Sequence, residues 1–266
     1  MKNTQIISVI NQKGGVGKTT TVINLATALS FKNKKTLVID LDPQGNATTG
    51  LGLLNTDKTK TVYDVLNGNA DFESTIKNTK IDNLKLVSSN VDLSGLEVET
   101  ANENRRAFLL KDKIEKFINN SQNDFDYIFI DCPPSLNLLT VMSLVVAKSL
   151  IVPLQAEFFA LEGVSQLMKT IERVKVKLNP SLEIRGVLLT MYDKRNKLSG
   201  EVDNEARKFF NEKVYQTVIP RNVRLSEAPS HGIPVLIYDK LCSGSKSYSN
   251  FAEEFLKQET IMESAA

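Results

Sequence analysis

Short apolar runs rich in β-branched residues alternate along the chain with longer stretches in which apolar residues recur at every third or fourth position. The runs predict buried strands, and the stretches predict helices that pack on them. The predicted strands cover residues 6–10, 35–40, 84–89, 125–131, 149–153, 184–190 and 214–219. The predicted helices cover residues 17–29, 61–66, 104–119, 138–147, 158–178, 201–211 and 245–258. Repeated strand-helix units predict an α/β fold with a mostly parallel, doubly wound sheet.

A glycine-dense turn separates the first predicted strand from the first predicted helix. Gly14, Gly15 and Gly17 let the backbone approach a phosphate closely because they have no Cβ atom. The N–H groups of such a turn point at phosphate oxygens beside the positive end of the helix. A lysine then contacts the outer phosphates and a threonine hydroxyl binds Mg²⁺, and Lys18 and Thr19 occupy these positions. The turn predicts a nucleoside triphosphate site.

This turn departs from the usual phosphate-binding pattern at its head. The pattern begins with a glycine that four residues separate from the final glycine-lysine pair, and here that position is Gln12. A second lysine, Lys13, follows it. The turn reads Lys13-Gly14-Gly15-Val16-Gly17-Lys18-Thr19-Thr20. Lys13 lies five residues before Lys18 and is not part of the usual pattern, so we expect it to have a separate role.

Carboxylates end two of the predicted strands. Asp40 closes the run at residues 35–40, Asp131 closes the run at residues 125–131, and Asp42 follows Asp40 in a loop. Open α/β sheets bind ligands beyond the carboxyl ends of their strands, so we expect these carboxylates on the same edge as the glycine turn. A carboxylate there can hold Mg²⁺ directly or through a water molecule. Together with the turn, Asp131 is interpreted as the Walker B acid.

Composition and charge narrow the class of protein. Charged residues make up 24% of the chain and apolar residues 41%, which is typical of a soluble globular protein. No apolar run approaches the ~20 residues that span a bilayer, and the N-terminus lacks a signal-peptide pattern, so we expect a cytoplasmic protein. The net charge is only +2, but residues 185–246 hold 11 Lys and Arg against 7 Asp and Glu. This excess permits nucleic-acid binding and is also common on solvated surfaces.

The length of the chain limits the number of domains, and its few cysteines and single histidine limit the kinds of metal or redox site. A chain of 266 residues can bury a full core. We expect a single domain over residues 1–258 and a disordered tail over residues 259–266. Cys132 and Cys242 lack the spacing of zinc or redox pairs, and His231 is the only histidine.

Two basic loops lie in the last third, at residues 190–197 and 219–232. The second loop and the turn from Lys13 to Thr20 resemble the ParA/Soj partitioning ATPases, which carry the deviant Walker A loop of the ParA/MinD family. The resemblance spans nearly the whole chain. It implies a Mg²⁺-dependent ATPase of weak intrinsic rate, in which ATP joins two copies in a sandwich dimer. It further implies nonspecific binding of double-stranded DNA at the nucleoid and stimulation of hydrolysis by a ParB-type partner.

The resemblance also implies roles for individual residues. Lys13 is the signature lysine that reaches the nucleotide of the partner subunit, Lys18 is the P-loop lysine, and Asp42 positions the attacking water. The nucleotide is bound by Lys13, Gly14, Gly15, Val16, Gly17, Lys18, Thr19 and Thr20, with Pro220 and Asn222 against the adenine. The magnesium site comprises Thr19, Asp40 and Asp131. The expected DNA contacts are Arg195, Arg221, Arg224 and Lys246, with Lys194 and Lys197 behind them.

Some ParA proteins carry an additional N-terminal helix-turn-helix domain that reads an operator. Here the first strand is predicted to begin at about residue 4. We therefore expect DNA contacts to phosphates, which carry no sequence information.

The sequence suggests two alternatives to a DNA-partitioning ATPase. A MinD-like positioning ATPase on the membrane needs an amphipathic C-terminal helix with lysines and bulky apolar residues, whereas residues 256–266 are short and acidic, so no stable membrane association is expected. An ATPase like the nitrogenase iron protein needs cysteines that bridge a cluster between subunits. Cys132 is the only plausible candidate, and one cysteine per subunit is too few for a four-ligand cluster.

Overall fold

The computed structural model describes residues 4–53, 59–120, 125–157 and 160–265. The strands are β1 (Gln5–Val9), β2 (Thr36–Asp40), β3 (Ile76–Asn78), β4 (Leu84–Val87), β5 (Tyr127–Asp131), β6 (Ser149–Gln155) and β7 (Glu183–Thr190). They form one sheet in the order β3-β4-β2-β5-β1-β6-β7. All neighbouring pairs are parallel except β3 and β4. This architecture confirms the predicted fold class.

The helices surround this sheet. They are α1 (Lys18–Ser30), α2 (Asn46–Gly50), α3 (Val62–Leu66), α4 (Phe72–Thr75), α5 (Leu96–Glu99), α6 (Leu109–Asn120), α7 (Leu138–Val146), α8 (Ala160–Lys177), α9 (Lys197–Phe210), α10 (Val223–Glu227), α11 (Val235–Tyr238) and α12 (Ser243–Ala265). Most agree with the predicted helices within a few residues. The sequence pattern misses the short elements α2, α4, α5, α10, α11 and β3, and it treats residues 219–232, which contain α10, as a loop. Each of these elements has only three to five residues and too few turns or alternations to show a period.

Each central strand buries side chains on both faces of the sheet. In β5, Tyr127 and Phe129 pack into the cluster that contains α1 and α12. Ile128 and Ile130 point to the opposite side, into the cluster that contains α6 and α7. All five residues of β5 are buried. This double burial explains why the strands are continuous apolar runs rather than alternating ones.

Residues 214–219 do not form the predicted strand. They run beside β7 in an extended conformation and make only isolated bridges, at Val214 and at Pro220 just beyond them. The N–H groups of Gln216 and Thr217 donate to the Glu254 carboxylate at 2.6 and 2.8 Å. Tyr215 and Ile219 still donate to carbonyls of β7, but a side chain of α12 takes the N–H of Thr217 between them, which interrupts the ladder.

The last helix is longer than predicted. The pattern ends it at Gln258 and expects disorder over residues 259–266, whereas α12 continues to Ala265. The segment after Gln258 contains neither glycine nor proline to stop a helix, and the Tyr127 hydroxyl donates a hydrogen bond to Glu259. Across the described part of the chain, no helix combines the length and apolar character needed to cross a membrane.

Candidate nucleotide site

The glycine turn joins the end of β1 to the start of α1. Gly15 and Gly17 have φ values of 73° and 89°, in the left-handed region that side chains other than glycine rarely adopt. Gly17 is the N-cap of α1 and offers no side chain to its first N–H groups. These groups can bind an anion at the positive end of the helix, as the sequence predicts.

Neighbouring strands hold this turn in place. The Thr190 hydroxyl at the end of β7 donates to the carbonyl of Val16 at 2.9 Å. The side chain of Asn11 donates to the carbonyl of Pro153 at 2.7 Å and accepts from the N–H of Lys13 at 3.0 Å. Neither Thr190 nor Asn11 is predicted from the sequence as a site residue, because each ties the turn to a part of the chain that is distant in sequence.

Lys18 lies inside the turn and is only 6% exposed. Its ammonium group donates to the carbonyl of Lys13 at 3.1 Å. Burial lowers the pKa of Lys18, while the nearby Asp131, Cys132 and Asp42 act in the opposite direction and favour the charged form. The ammonium is therefore placed between the turn and the carboxylates, where an anionic ligand would compensate its burial.

Asp131 and Asp40 meet at one edge of the sheet because they occupy paired positions on β5 and β2. Asp131 is fully buried, and the Thr19 hydroxyl is the one group among the described residues that interacts with its carboxylate as a hydrogen-bond donor. Burial, and next the charge of Asp40, raise the pKa of Asp131 well above its usual range. A buried carboxylate that has only one hydroxyl beside it is costly unless a cation or its water compensates it.

The buried Asp131 carboxylate, with only the Thr19 hydroxyl beside it, fits the predicted Mg²⁺. Within the described ranges no three His, Cys, Asp or Glu side chains are grouped to share a metal ion. Mg²⁺ does not need such a group, since it keeps several waters and binds one or two protein oxygens together with substrate phosphates. Asp131 and the adjacent Thr19 hydroxyl are the side chains in position to contribute.

Asp40 is engaged within the protein. Its Oδ2 accepts from the N–H and the hydroxyl of Thr48, both at 2.7 Å, and its Oδ1 accepts from the N–H of Asp42 at 3.2 Å. Burial raises the pKa of Asp40 to about 6, and the hydrogen bonds from Thr48 oppose that shift. The structure thus places Asp40 behind the site, in contact with the N–H of Asp42 and with Thr48.

Asp42 faces a cavity of about 590 Å³, which lies in the usual size range of ligand pockets. Asp42 is 6% exposed, and its Oδ1 accepts from the N–H of Gln44 at 3.0 Å. The cavity extends from the phosphate turn to the segment after residue 219. Its lining includes Gly14, Gly15, Gly17, Lys18, Thr19, Thr20, Asp42, Pro220, Arg221 and Asn222. One continuous space therefore joins the predicted phosphate and base positions.

Comparison with known proteins decides the family. The family model described as an AAA domain matches residues 4–184. The chain is 51% identical over 255 residues to the chromosome partitioning protein ParA of Caulobacter vibrioides, covering 96% of this chain and 95% of that protein. It is 48% identical over 250 residues to the sporulation initiation inhibitor protein Soj of Bacillus subtilis, covering 94% and 97% of the two chains.

The chain belongs to the ParA/Soj family of chromosome-partitioning ATPases. Among solved structures, it is similar to a Mycobacterium smegmatis protein described as cobyrinic acid a,c-diamide synthase, which was crystallised with an ATP analogue and magnesium. That similarity has a TM-score of 0.83 and 35% identity, and covers 96% of this chain and 94% of the other. The resemblance inferred from the sequence is confirmed.

The end of the cavity opposite the turn contains the residues that the ParA/Soj resemblance places against adenine. Pro220 and Asn222 both line it. The Asn222 side chain is already engaged, because its amide donates to the Ser243 hydroxyl at 2.8 Å and its carbonyl oxygen accepts from the N–H of Arg224 at 2.9 Å. Leu225 and Tyr248 also line the cavity, and the sequence analysis does not identify them.

Lys13, the signature lysine of the ParA/Soj resemblance, pairs with Glu157 of its own chain at 2.9 Å. Both side chains are 45% exposed. The other Glu157 oxygen lies 3.9 Å from the guanidinium of Arg221 and also accepts a hydrogen bond from Gln155. The sequence does not predict Glu157 as a site residue, although Glu157 follows β6 at the same edge of the sheet as Asp40 and Asp131.

The basic residues fall into separate groups. Arg195 and Arg221 line a second cavity of about 710 Å³ together with Lys194. Arg195 pairs with Asp193 at 2.9 Å, whereas Arg224 lies apart from this cavity and pairs with Glu227 at 2.8 Å. Lys246 and Lys197 are exposed on α12 and α9. The structure brings two of the four predicted DNA contacts together, and both have a carboxylate beside them.

Proposed function

We propose that this protein is an ATP-driven switch for DNA partitioning. ATP with Mg²⁺ joins two copies in a sandwich dimer, the dimer binds double-stranded DNA without sequence preference, and a ParB-type partner stimulates hydrolysis. The observation that carries the proposal is the cavity that contains the phosphate turn, Lys18 and Asp42, next to the buried carboxylate of Asp131. Membership of the ParA/Soj family and the ATP analogue bound by the M. smegmatis protein support it.

The proposed reaction is phosphoryl transfer from ATP to water. The turn N–H groups and Lys18 bind and orient the phosphates, and Asp42 orients water for in-line attack. Mg²⁺ bound near Thr19 and Asp131 would neutralise charge on the phosphate oxygens. Lys18 and Asp42 are each only 6% exposed, and this burial strengthens their electrostatic interactions.

Dimer formation requires Lys13 to change partners. In the single chain its ammonium is neutralised by Glu157 at 2.9 Å. To reach the nucleotide of a second subunit it must leave this carboxylate, and each dimer breaks two such pairs. The ion pair therefore opposes dimerisation until ATP offers Lys13 a more highly charged partner.

Replacing Glu157 with glutamine should make ATP-dependent dimers form more readily. An exposed ion pair is worth about 0.2–1 kcal/mol, so loss of two pairs should lower the dimer dissociation constant by about 2-fold to 30-fold. Sedimentation of the full chain with MgATP and without DNA measures this constant. Glu253→Gln is the matched control. Glu253 lies on α12 and pairs with Lys32 at 3.0 Å, so its replacement removes an exposed ion pair of similar length away from the site. A dissociation constant that stays the same or rises in Glu157→Gln contradicts the competition.

The second cavity is the proposed contact with the DNA backbone. It presents Lys194, Arg195 and Arg221 with the hydroxyl and amide groups of α12. Asp193 and Glu157 already neutralise part of this charge. DNA phosphates must therefore compete with these carboxylates, and binding through such contacts releases counterions and weakens with salt.

We expect DNA affinity to depend steeply on salt and on these arginines. If each dimer contacts about six phosphates, the logarithm of the affinity should fall against the logarithm of salt concentration with a slope near −5. Arg195→Ala and Arg221→Ala should each weaken binding of unrelated duplexes equally and make the slope shallower by about 2 per dimer. Fluorescence anisotropy with MgATP over a salt series measures both quantities.

The control for this experiment is Arg105→Ala. Arg105 is an exposed arginine that also pairs with a carboxylate, Asp112 at 3.3 Å, but it precedes α6 and lies outside the second cavity. Arg105→Ala changes the net charge by the same amount as Arg195→Ala or Arg221→Ala. A salt slope near zero, or equal losses in Arg105→Ala and Arg221→Ala, would remove this cavity from the DNA interface.

A further inference from the structure

A single buried threonine behind Asp42 joins three parts of the fold. The N–H and hydroxyl of Thr48 both donate to Oδ2 of Asp40 at 2.7 Å. The same hydroxyl oxygen accepts from the N–H of Ser89 at 3.1 Å. Thr48 is 2% exposed and Asp40 is fully buried. Through these bonds Thr48 connects α2 to the ends of β2 and β4.

The loop that carries Asp42 is attached to Asp40 at both of its ends. At the start, the N–H of Asp42 donates to Oδ1 of Asp40 at 3.2 Å. At the end, Thr48 binds Oδ2 of the same carboxylate. Besides the bond from the N–H of Leu41 to the carbonyl of Asp131 at 2.9 Å, the position of Asp42 relative to the sheet is therefore set by one buried carboxylate and by the groups that donate to it.

The loop between these attachments has little freedom of its own. The N–H of Gln44 donates to Oδ1 of Asp42, and the N–H of Gly45 donates to the carbonyl of Asp42 at 2.9 Å. Gly45 has a φ of 64°, and a Cβ atom there would lie 3.4 Å from the carbonyl oxygen of Ser89. A shift of Thr48 would therefore move the whole turn, with Asp42 on it.

The far end of α2 is also closely packed. A Cβ atom on Gly52 would lie 2.5 Å from the carbonyl oxygen of Gly232. Gly232 follows the segment whose residues Pro220 and Asn222 line the predicted adenine end of the cavity. This contact lies between two backbones, so no side-chain rotation can relieve it. With its C-terminal end fixed there, α2 depends on Thr48 for the placement of its N-terminal end beside Asp42.

We propose that Thr48 is a positioning residue for hydrolysis, which acts through Asp40 to hold the Asp42 carboxylate at its place in the cavity. The inference rests on the proposed function, because it presumes that Asp42 orients the attacking water. It also gives Asp40 a role that requires no contact with Mg²⁺. Thr48 itself touches neither nucleotide nor water in this scheme.

The test compares Thr48→Val with Thr48→Ser in the full chain. Valine retains the shape of the side chain and removes the hydroxyl, so kcat should fall by about 10²-fold, the usual effect of misplacing a catalytic group by an ångström. The dissociation constant for ATP should stay near the wild-type value, because Thr48 does not line the cavity. Serine restores the hydroxyl and should restore most of kcat. Thr48→Ala provides a second hydroxyl deletion, without the added methyl group, if the valine variant does not fold.

Thr100→Val controls for the general cost of deleting a buried hydroxyl. Thr100 is 4% exposed, and its hydroxyl donates to a carbonyl at 2.7 Å outside the site. This variant should lose thermal stability but retain kcat. The inference is wrong if the hydroxyl-deleted Thr48 variants turn over ATP at the wild-type rate, or if Thr48→Ser is as slow as they are.

Asp42→Ala, measured in parallel, separates the two proposals. If Asp42→Ala is slow and Thr48→Val is fast, only the role of Thr48 fails. If Asp42→Ala hydrolyses ATP rapidly, the role of Asp42 fails, and the inference that depends on it fails as well.

Discussion

Replacing Asp42 with alanine is expected to trap ATP unhydrolysed in a DNA-bound dimer. Asp42 is buried in the same cavity as Lys18 and the phosphate turn, and it is the carboxylate proposed to orient water. Groups that position or deprotonate a nucleophile typically contribute about 10²-fold to 10⁴-fold to the rate. Single-turnover hydrolysis of bound ATP should slow by that factor, while sedimentation should show dimers that persist on DNA.

Asp42→Asn separates the charge of this residue from its role in the loop. An asparagine oxygen can still accept the hydrogen bond that the N–H of Gln44 donates at 3.0 Å, so the turn is preserved. We expect Asp42→Asn to bind ATP and to hydrolyse it nearly as slowly as Asp42→Ala. Rapid turnover by either variant would reject the water-orienting role.

Replacing Lys13 with alanine is expected to abolish ATP-dependent dimers while ATP still binds to the single chain. The Lys13 ammonium contacts Glu157 in its own chain, and the Lys13 backbone is what supports the turn, through its N–H bond to Asn11 and its carbonyl bond to Lys18. The substitution leaves both backbone bonds in place. A trans-acting cation of this kind is worth about 10³-fold to 10⁵-fold in rate where it is known, so stimulated hydrolysis should fall by a similar factor.

Light scattering with MgATP measures the dimers, and a fluorescent ATP analogue measures binding. Lys13→Arg is the matched control, since it keeps a cation at the head of the turn. Glu157→Gln supplies the opposite change, because it releases Lys13 without removing it. Dimers that persist in Lys13→Ala would show that Lys13 does not hold the two subunits together.

The sequence predicts the phosphate turn well because its chemistry is local. Gly15, Gly17 and Lys18 lie within four positions, and the conformation that they adopt depends on residues beside them in the chain. The central strands are predicted equally well, since burial on both faces of the sheet requires continuous apolar runs. Asp131 follows from the same logic, as the last residue of such a run.

Other features do not follow from local pattern. The apolar run at residues 214–219 looks like a strand, but Glu254 takes two of its N–H groups. The end of α12 looks like a tail, but Tyr127 on β5 binds Glu259. In both cases the deciding partner comes from a distant part of the chain, so pattern alone gives no signal of it.

The amino-acid sequence by itself determined the family of this protein, its α/β sheet, its phosphate turn and the strand ends where the carboxylates lie. These properties depend on residue type and short-range spacing. The tertiary structure alone decided which partners these groups have: Asp40 binds Thr48, Lys13 pairs with Glu157, and Asp131 has only the Thr19 hydroxyl beside it among the described residues. The reason is physical, because hydrogen bonds and ion pairs depend on distances in space, and Lys13 and Glu157 are 144 positions apart in the chain.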